Sequence, residues 1–180
     1  SGCGKSTLLA LAAGLDVPSA GEMRILGTSL NQLDELGLAR LRAERLAIVF
    51  QSDNLWPTLS AQENVVASLR LAGREDASGA ASAALAEFGL APRARHRAAA
   101  LSGGEQQRVA IAGAAARQAA LVLADEPTGE LDEHNEQLVL EALVRLRADH
   151  DSSVMVVTHS ERVAAAADRV VELRDGRVAL

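Results

Sequence analysis

The stretch 101-LSGGEQQRVAIAGAAARQAALVLADEPTGELD-132 puts three chemical devices on one helix, one strand and one turn. At its start, Ser102 is followed by Gly103 and Gly104, two residues without side chains, directly before a helix-compatible run. Backbone N–H groups and a helix N-terminus can there face an anion. Leu121 to Ala124 are four consecutive apolar residues that read as a short buried strand, and its far end delivers two adjacent carboxylates, Asp125 and Glu126, before Pro127 stops it. One end suits a phosphate and the other suits a metal ion and a water. The plain alternative is a Gly-rich turn before a core helix, plus a strand ending in two solvated acids; further motifs in order along the chain weigh against it.

The first of these is 1-SGCGKST-7. It matches the end of the phosphate-loop pattern G-x-x-x-x-G-K-[ST] with Gly4, Lys5 and Ser6, and the pattern's first Gly falls two residues before Ser1. A strand is expected to feed such a loop, so the chain reads as truncated at its N-terminus, with the N-terminal strands missing. N–H groups from Gly2 to Lys5 form a nest for a phosphate, Lys5 places a cation on the terminal phosphates, and the Ser6 hydroxyl can ligate Mg²⁺. Ser1, Gly2, Cys3, Gly4, Lys5, Ser6 and Thr7 are thus the nucleotide-binding candidates.

A chain of 180 residues, 48% of them apolar, fits one domain with a real core. A net charge of −6 and the lack of a Lys/Arg block give no nucleic-acid surface. The single cysteine, Cys3, excludes an internal disulfide and is compatible with a reducing cytosol. No uncharged apolar run is long enough to span a bilayer, so a membrane role needs a partner. Aromatics are confined to Phe50, Trp56 and Phe88, which leaves the core to Leu, Val, Ile and Ala.

Elsewhere the pattern predicts helices over Lys5 to about Ala13, 33–44, 61–72, 80–88 and 133–148, with a polar linker at 73–79. Ser60-Ala61-Gln62-Glu63 is a capping box at the start of the third of these. Strands are predicted at Glu22 to Leu26, Leu46 to Phe50, Val154 to Val157 and Arg169 to Arg174, the last followed by an Asp175-Gly176 hairpin turn and a final strand running to Leu180. Gln51 and His159 each follow a strand, where a surface or structural role is as ordinary as a catalytic one. Trp56 could face a partner or pack into the helical segment, and packing is the expectation.

LSGGEQQR, then LVLADE, then the LD of GELD resemble the ATP-binding subunit of ATP-binding-cassette (ABC) transporters, and FQSDNLWPTLSAQENV resembles the segment around that family's metal-contacting Gln. LDELGLARLR leading into AIVFQ and PTLSAQENV is similar to the lipoprotein-releasing and macrolide-export group. The resemblance implies an α/β fold of the P-loop NTPase (RecA-like) type: a mostly parallel sheet core at 1–54 and 118–180 with an inserted α-helical subdomain at 55–117. It implies ATP and Mg²⁺ as cofactors, with Ser6, Gln51 and Asp125 positioning the metal. Glu126 would act as general base, and His159 and Gln51 would complete the catalytic set. Leu101, Ser102, Gly103, Gly104 and Glu105 would serve the ATP of a second cassette, and Leu131 and Asp132 would couple the two sites across the dimer. The implied function is ATP hydrolysis driving a membrane permease, in a homodimer or with a paired cassette, on the inner face of the cell membrane and without nucleic acid. The competing expectations are a regulatory or scaffolding cassette of the cell-division type, and an inactive fragment. Gly113 departs from the resemblance, standing where an Arg often follows Ile-Ala.

Overall fold

A computed structural model describes residues 3–179; the calls on Ser1, Gly2 and Leu180 lie outside the described residues. In chain order the elements are α1 (Lys5–Ala12), β1 (Arg24–Ile25), β2 (Thr28–Ser29), α2 (Glu35–Glu44), β3 (Leu46–Val49), α3 (Ala61–Leu71), α4 (Ala77–Glu87), α5 (Gly103–Ala116), β4 (Leu121–Asp125), α6 (Glu133–His150), β5 (Ser153–Val157), α7 (Glu161–Ala165), β6 (Leu173–Arg174) and β7 (Arg177–Val178).

The three apolar runs β3, β4 and β5 pair in parallel in that order, with Leu46 opposite Leu121 and Leu121 opposite Ser153. Apolar on both faces, each strand divides its side chains between two cores by the two-residue period of the pleat. Ala47, Val49, Val122 and Ala124 point into a large core shared with α3, α4, α5 and α6, and Val154 and Val156 pack against it. Leu123 and Val157 point the other way, onto Leu9, Ala12 and Ala13 of the α1 segment, with Ile48 and Met155 alongside. Because the strands run the same way, all three C-terminal ends open on one edge of the sheet. In such sheets that edge is where ligands bind.

Several boundaries differ from the sequence reading, each for a local reason. The stretch 73–79 is not all linker: Asp76 caps α4 by accepting from the Gly79 N–H, so the helix starts at Ala77. Likewise Asp34 accepts from the Gly37 N–H at 2.8 Å and starts α2 at Glu35. Leu26 belongs to a turn: Leu26 and Gly27 have φ of 50° and 79°, the two positive values of a tight hairpin loop, which leaves two-residue strands on either side. The predicted strand from Arg169 to Arg174 shrinks to Leu173–Arg174, and Val170 and Val171 stay exposed. Trp56 is 52% exposed, which overturns the expectation that it packs. It follows a segment whose own anchor is polar, the Trp56 N–H donating to Asn64 Oδ1 at 2.8 Å, so the backbone is fixed while the indole is left outside.

Arg117, just past α5, ties that helix to α2 and β3. Its Nη2 shares its two hydrogens among the carbonyls of Arg42, Ala43 and Leu46, at 2.7 to 2.8 Å, closing the end of α2 and the start of β3. Arg117→Ala removes these charge-assisted bonds and is expected to cost roughly 2–3 kcal/mol, a fall in Tm of about 4–12 °C by thermal denaturation. A drop within about 1 °C would show the bonds to be replaced by water.

Candidate ATP-hydrolysis site

Residues from four separate segments converge on a cleft of about 720 Å³ at the C-terminal edge of the sheet. Its floor is the phosphate loop and the first turn of α1, with Cys3, Gly4, Lys5, Ser6 and Thr7; its walls are Gln51, the turn after β4, and Thr158 and His159 after β5. Gly4 has φ of 90°, a conformation that suits glycine and lets the chain turn sharply into α1. Lys5 Nζ lies 3.3 Å from Cys3 Sγ and 3.4 Å from both ring nitrogens of His159. The neighbouring ammonium pulls the Cys3 thiol below its ordinary value.

The paired acids at the end of β4 part company. Asp125 accepts from Ser6 Oγ at 3.3 Å. Glu126 has φ of 43°, a left-handed conformation uncommon outside glycine, so the chain swings its carboxylate to the other neighbour. There Glu126 Oε2 accepts from the His159 N–H at 3.1 Å, and Oε1 lies 3.2 Å from His159 Nε2. The Glu126 side chain is 18% exposed and that of His159 61%. One acid thus faces the Ser6 hydroxyl and the other the His159 loop.

The oxygens of Ser6 and Asp125 fit Mg²⁺, which takes one or two protein oxygens and fills its octahedron with waters and phosphate oxygens. No cluster of three or more His, Cys, Asp or Glu able to hold a metal occurs among the described residues. The Gln51 amide nitrogen donates to Glu130 Oε1 at 3.1 Å, which sets Gln51 against the turn that carries Leu131 and Asp132.

Ser102, Gly103 and Gly104 stand apart from this cleft. Ser102 caps α5 in a reciprocal box: its Oγ accepts from the Glu105 N–H at 3.2 Å, while Glu105 Oε2 accepts from the Ser102 N–H at 2.9 Å. Among the described residues the Ser102 hydroxyl only accepts, from the Glu105 N–H. Ser102 and Gly103 are exposed; a side chain on Gly103 would crowd Leu131, and one on Gly104 would collide with α6. A Cβ at Gly103 would sit 3.3 Å from Leu131 Cδ2, and one at Gly104 2.6 Å from Asn135 Oδ1. The glycines therefore allow α5 to lie close against 131–135 as well as leaving amides bare.

The S-x-x-E spacing at 102–105 signals this cap as plainly as the one at 60–63. Gln107, Glu130 and Glu136 carry no such local signal. Gln107 reaches the backbone of Phe50 and Gln51, and Glu136 accepts from Ser160 Oγ at 2.6 Å next to His159.

Glu105 also accepts from Arg93 Nε at 2.8 Å. Burial raises its carboxyl pKa, but the Ser102 N–H and the Arg93 guanidinium outweigh that and hold it below its ordinary value of 4.5. A carboxylate depressed in the folded state stabilises above its unfolded value and loses that contribution as pH falls through the folded one. Glu105→Gln is therefore expected to flatten the loss of stability below pH about 4.5, read as Tm against pH. Parallel acid limbs for both proteins would refute it.

Likeness to known proteins extends along nearly the whole chain. The profile of the family described as ABC transporter matches residues 1–129. The chain belongs to the ABC transporter family. It is 45% identical over 180 residues to the lipoprotein-releasing system ATP-binding protein LolD 1 of Rhodospirillum rubrum, an alignment that covers 99% of this chain and 80% of that protein. It is 43% identical over 184 residues to the macrolide export ATP-binding/permease protein MacB of Hyphomonas neptunium, covering 99% of this chain and 28% of that one. A solved ATP-binding cassette, dimeric and in a post-hydrolysis state bound to ADP and Pi, superposes with a TM-score of 0.87 at 38% identity, over 98% of this chain and 78% of that one. The α/β fold is that of the P-loop ABC cassettes, and the chain is an ATP-binding, ATP-hydrolysing cassette.

Proposed function

We propose that this cassette hydrolyses ATP as half of a head-to-tail pair and drives a membrane permease of the lipoprotein-releasing or macrolide-export type. The observation that carries the reading is the separation of two phosphate-facing ends in one chain. Lys5, Ser6, Glu126 and His159 face one cleft, with Asp125 behind Ser6, while Ser102 and Gly103 face solvent outside it. A second subunit that brings its own Ser102 to this cleft completes both sites at once, and Leu131, which lines the cleft and lies against Gly103, sits at that seam. The names of the lipoprotein-releasing and macrolide-export relatives support the choice of permease.

Within the cleft, Lys5 and the loop amides hold the phosphates and Thr7 closes the loop's end. Ser6, Asp125 and Gln51 would hold the metal, which would supply positive charge against the phosphates. Glu126 takes a proton from the attacking water, and His159, ordered against Glu126, contacts the terminal phosphate and orients that water. Ser102 and the α5 amides add donors from the partner. Binding energy that exists only in the closed pair favours closure, and hydrolysis removes it.

A second groove of about 450 Å³ lies between α2, α3 and α5, lined by Trp56, Leu71, Ala110 and Gly113 among others. Trp56 and Leu71 are 52% and 71% exposed there. In this reading the permease seats on that groove from the membrane side, which makes the cassette a peripheral protein of the cytoplasmic face. No helix among the described residues is long and apolar enough to cross a membrane.

The test is turnover of the complete gene product with Mg²⁺ and ATP. Specific activity is expected to rise steeply with protein concentration or on adding its permease, and Trp56→Glu to abolish the permease effect alone. A rate per chain independent of concentration would sink the paired site. ATP binding without hydrolysis, even with the permease, would favour the scaffolding alternative.

A further inference from the structure

Gln107 is 4% exposed, one of few polar side chains in the large core. Its Nε2 donates to the carbonyls of Phe50 at 2.9 Å and Gln51 at 2.7 Å, while its Oε1 accepts from Asn54 Nδ2 at 3.1 Å. Asn54 in turn accepts from the Phe50 N–H and donates to the Phe50 carbonyl, both at 2.7 Å. Two carbonyls are served here by the two hydrogens of one nitrogen, and Asn54 needs an acceptor beside it. A primary amide is the side chain that supplies both. A network satisfied at every member and anchored on one buried amide holds its parts in a fixed relation.

The position of Gln107 gives that rigidity a use. It lies on α5 one turn beyond Gly103 and Gly104, the end that faces a second subunit, and it grips the backbone of the residue that lines the chain's own cleft. From the other side, Glu130 holds the Gln51 side chain from the turn that leads to α6.

We propose that Gln107 is a positioning residue for ATP hydrolysis: it fixes Gln51 to α5, so that engagement of the α5 end by one ATP sets the placement of Gln51 at the other. The inference rests on the paired-site reading above and assigns it a specific link. Gln107 touches no nucleotide and acts only through Gln51.

The experiment is a double-mutant cycle on the complete gene product, reading ATP affinity and turnover for Gln107→Met, Gln51→Ala and the pair. Met fills the same volume and donates nothing. Gln107→Met is expected to leave ATP affinity within about twofold and to lower turnover by up to about 10²-fold, the effect of a small misplacement at a reacting centre. In the Gln51→Ala background the same change should cost less than about twofold, since residues acting as a unit are not additive. A full multiplicative loss in that background would show a general structural role and overturn the proposal, as would unchanged turnover in Gln107→Met. Unchanged turnover in Gln51→Ala would overturn it too, and with it the role given to Gln51, while leaving the paired site testable by its concentration dependence. If Gln107→Met does not fold, Asn54→Asp serves: it keeps the Phe50 N–H bond, loses the donors to Gln107 and to the Phe50 carbonyl, and should show the same split on a smaller scale.

Discussion

Glu126→Gln is expected to lower ATP turnover by about 10²–10⁴-fold, the range lost with a general base, while ATP still binds. The amide is isosteric, and its oxygen can still accept from the His159 N–H now held at 3.1 Å, so the His159 loop keeps its place. It cannot accept the water's proton. A nucleotide that binds and does not hydrolyse holds the closed state, so the variant should accumulate as an ATP-bound dimer on size exclusion. Asp125→Asn provides the contrast. It weakens the partner of Ser6 Oγ and should reduce ATP affinity in Mg²⁺ as well as turnover. Equal turnover for Glu126→Gln and the parent chain would assign the proton to another group.

Gly104→Ala is the second large effect, and it comes from packing. The added Cβ would lie 2.6 Å from Asn135 Oδ1 and 2.8 Å from Asn135 Cβ, distances that real side chains do not tolerate. Asn135 cannot simply step aside, because its N–H donates to Asp132 Oδ1 at 2.9 Å and its Nδ2 to Asp132 Oδ2 at 2.8 Å. Relief must move the first turn of α6 and with it Leu131 and Asp132. Overpacking of this kind costs about 1–3 kcal/mol, or roughly 2–12 °C in Tm for a domain of this size. Turnover should fall further than stability requires, by at least about tenfold, since Ser102 and the 131–132 turn shift together. Asn135→Gly removes the obstructing atoms and should restore much of both. If Gly104→Ala alone melts and turns over like the parent, the close approach of α5 and α6 is not needed.

The parallel sheet and its chemistry were legible because they are local. Four or five apolar residues in a row, ended by Asp125-Glu126 or Thr158-His159, announce a strand buried on both faces with chemistry at its exit. The pleat then assigns Val122 to one core and Leu123 to the other without further information. What was not legible depends on distant partners. Gln107 reads as one more polar helix residue until Phe50 and Gln51, over 50 positions away, are brought beside it. Arg117 reads as an exposed helix end until α2 supplies carbonyls. The short strands around 24–29 and 173–178 were overestimated because each ends where its hairpin partner does. Trp56 was misjudged for a related reason: the burial of a large side chain is set by what stands over it, and here the groove is open.

Helix α5 is lashed to β3 at both ends of the strand, by Arg117 at the carbonyl of Leu46 and by Gln107 at those of Phe50 and Gln51. Its 14 residues make a spar of about 21 Å whose free tip is Ser102. Fastened near both ends of β3, helix and strand resist relative rotation, and a tilt of about 5° over that length would carry the tip about 2 Å. The ladder from Leu46–Val49 to Leu121–Ala124 ties β3 in turn to β4, whose exit carries the two acids. A displacement of the tip would therefore reach Gln51 and the two acids through one connected framework.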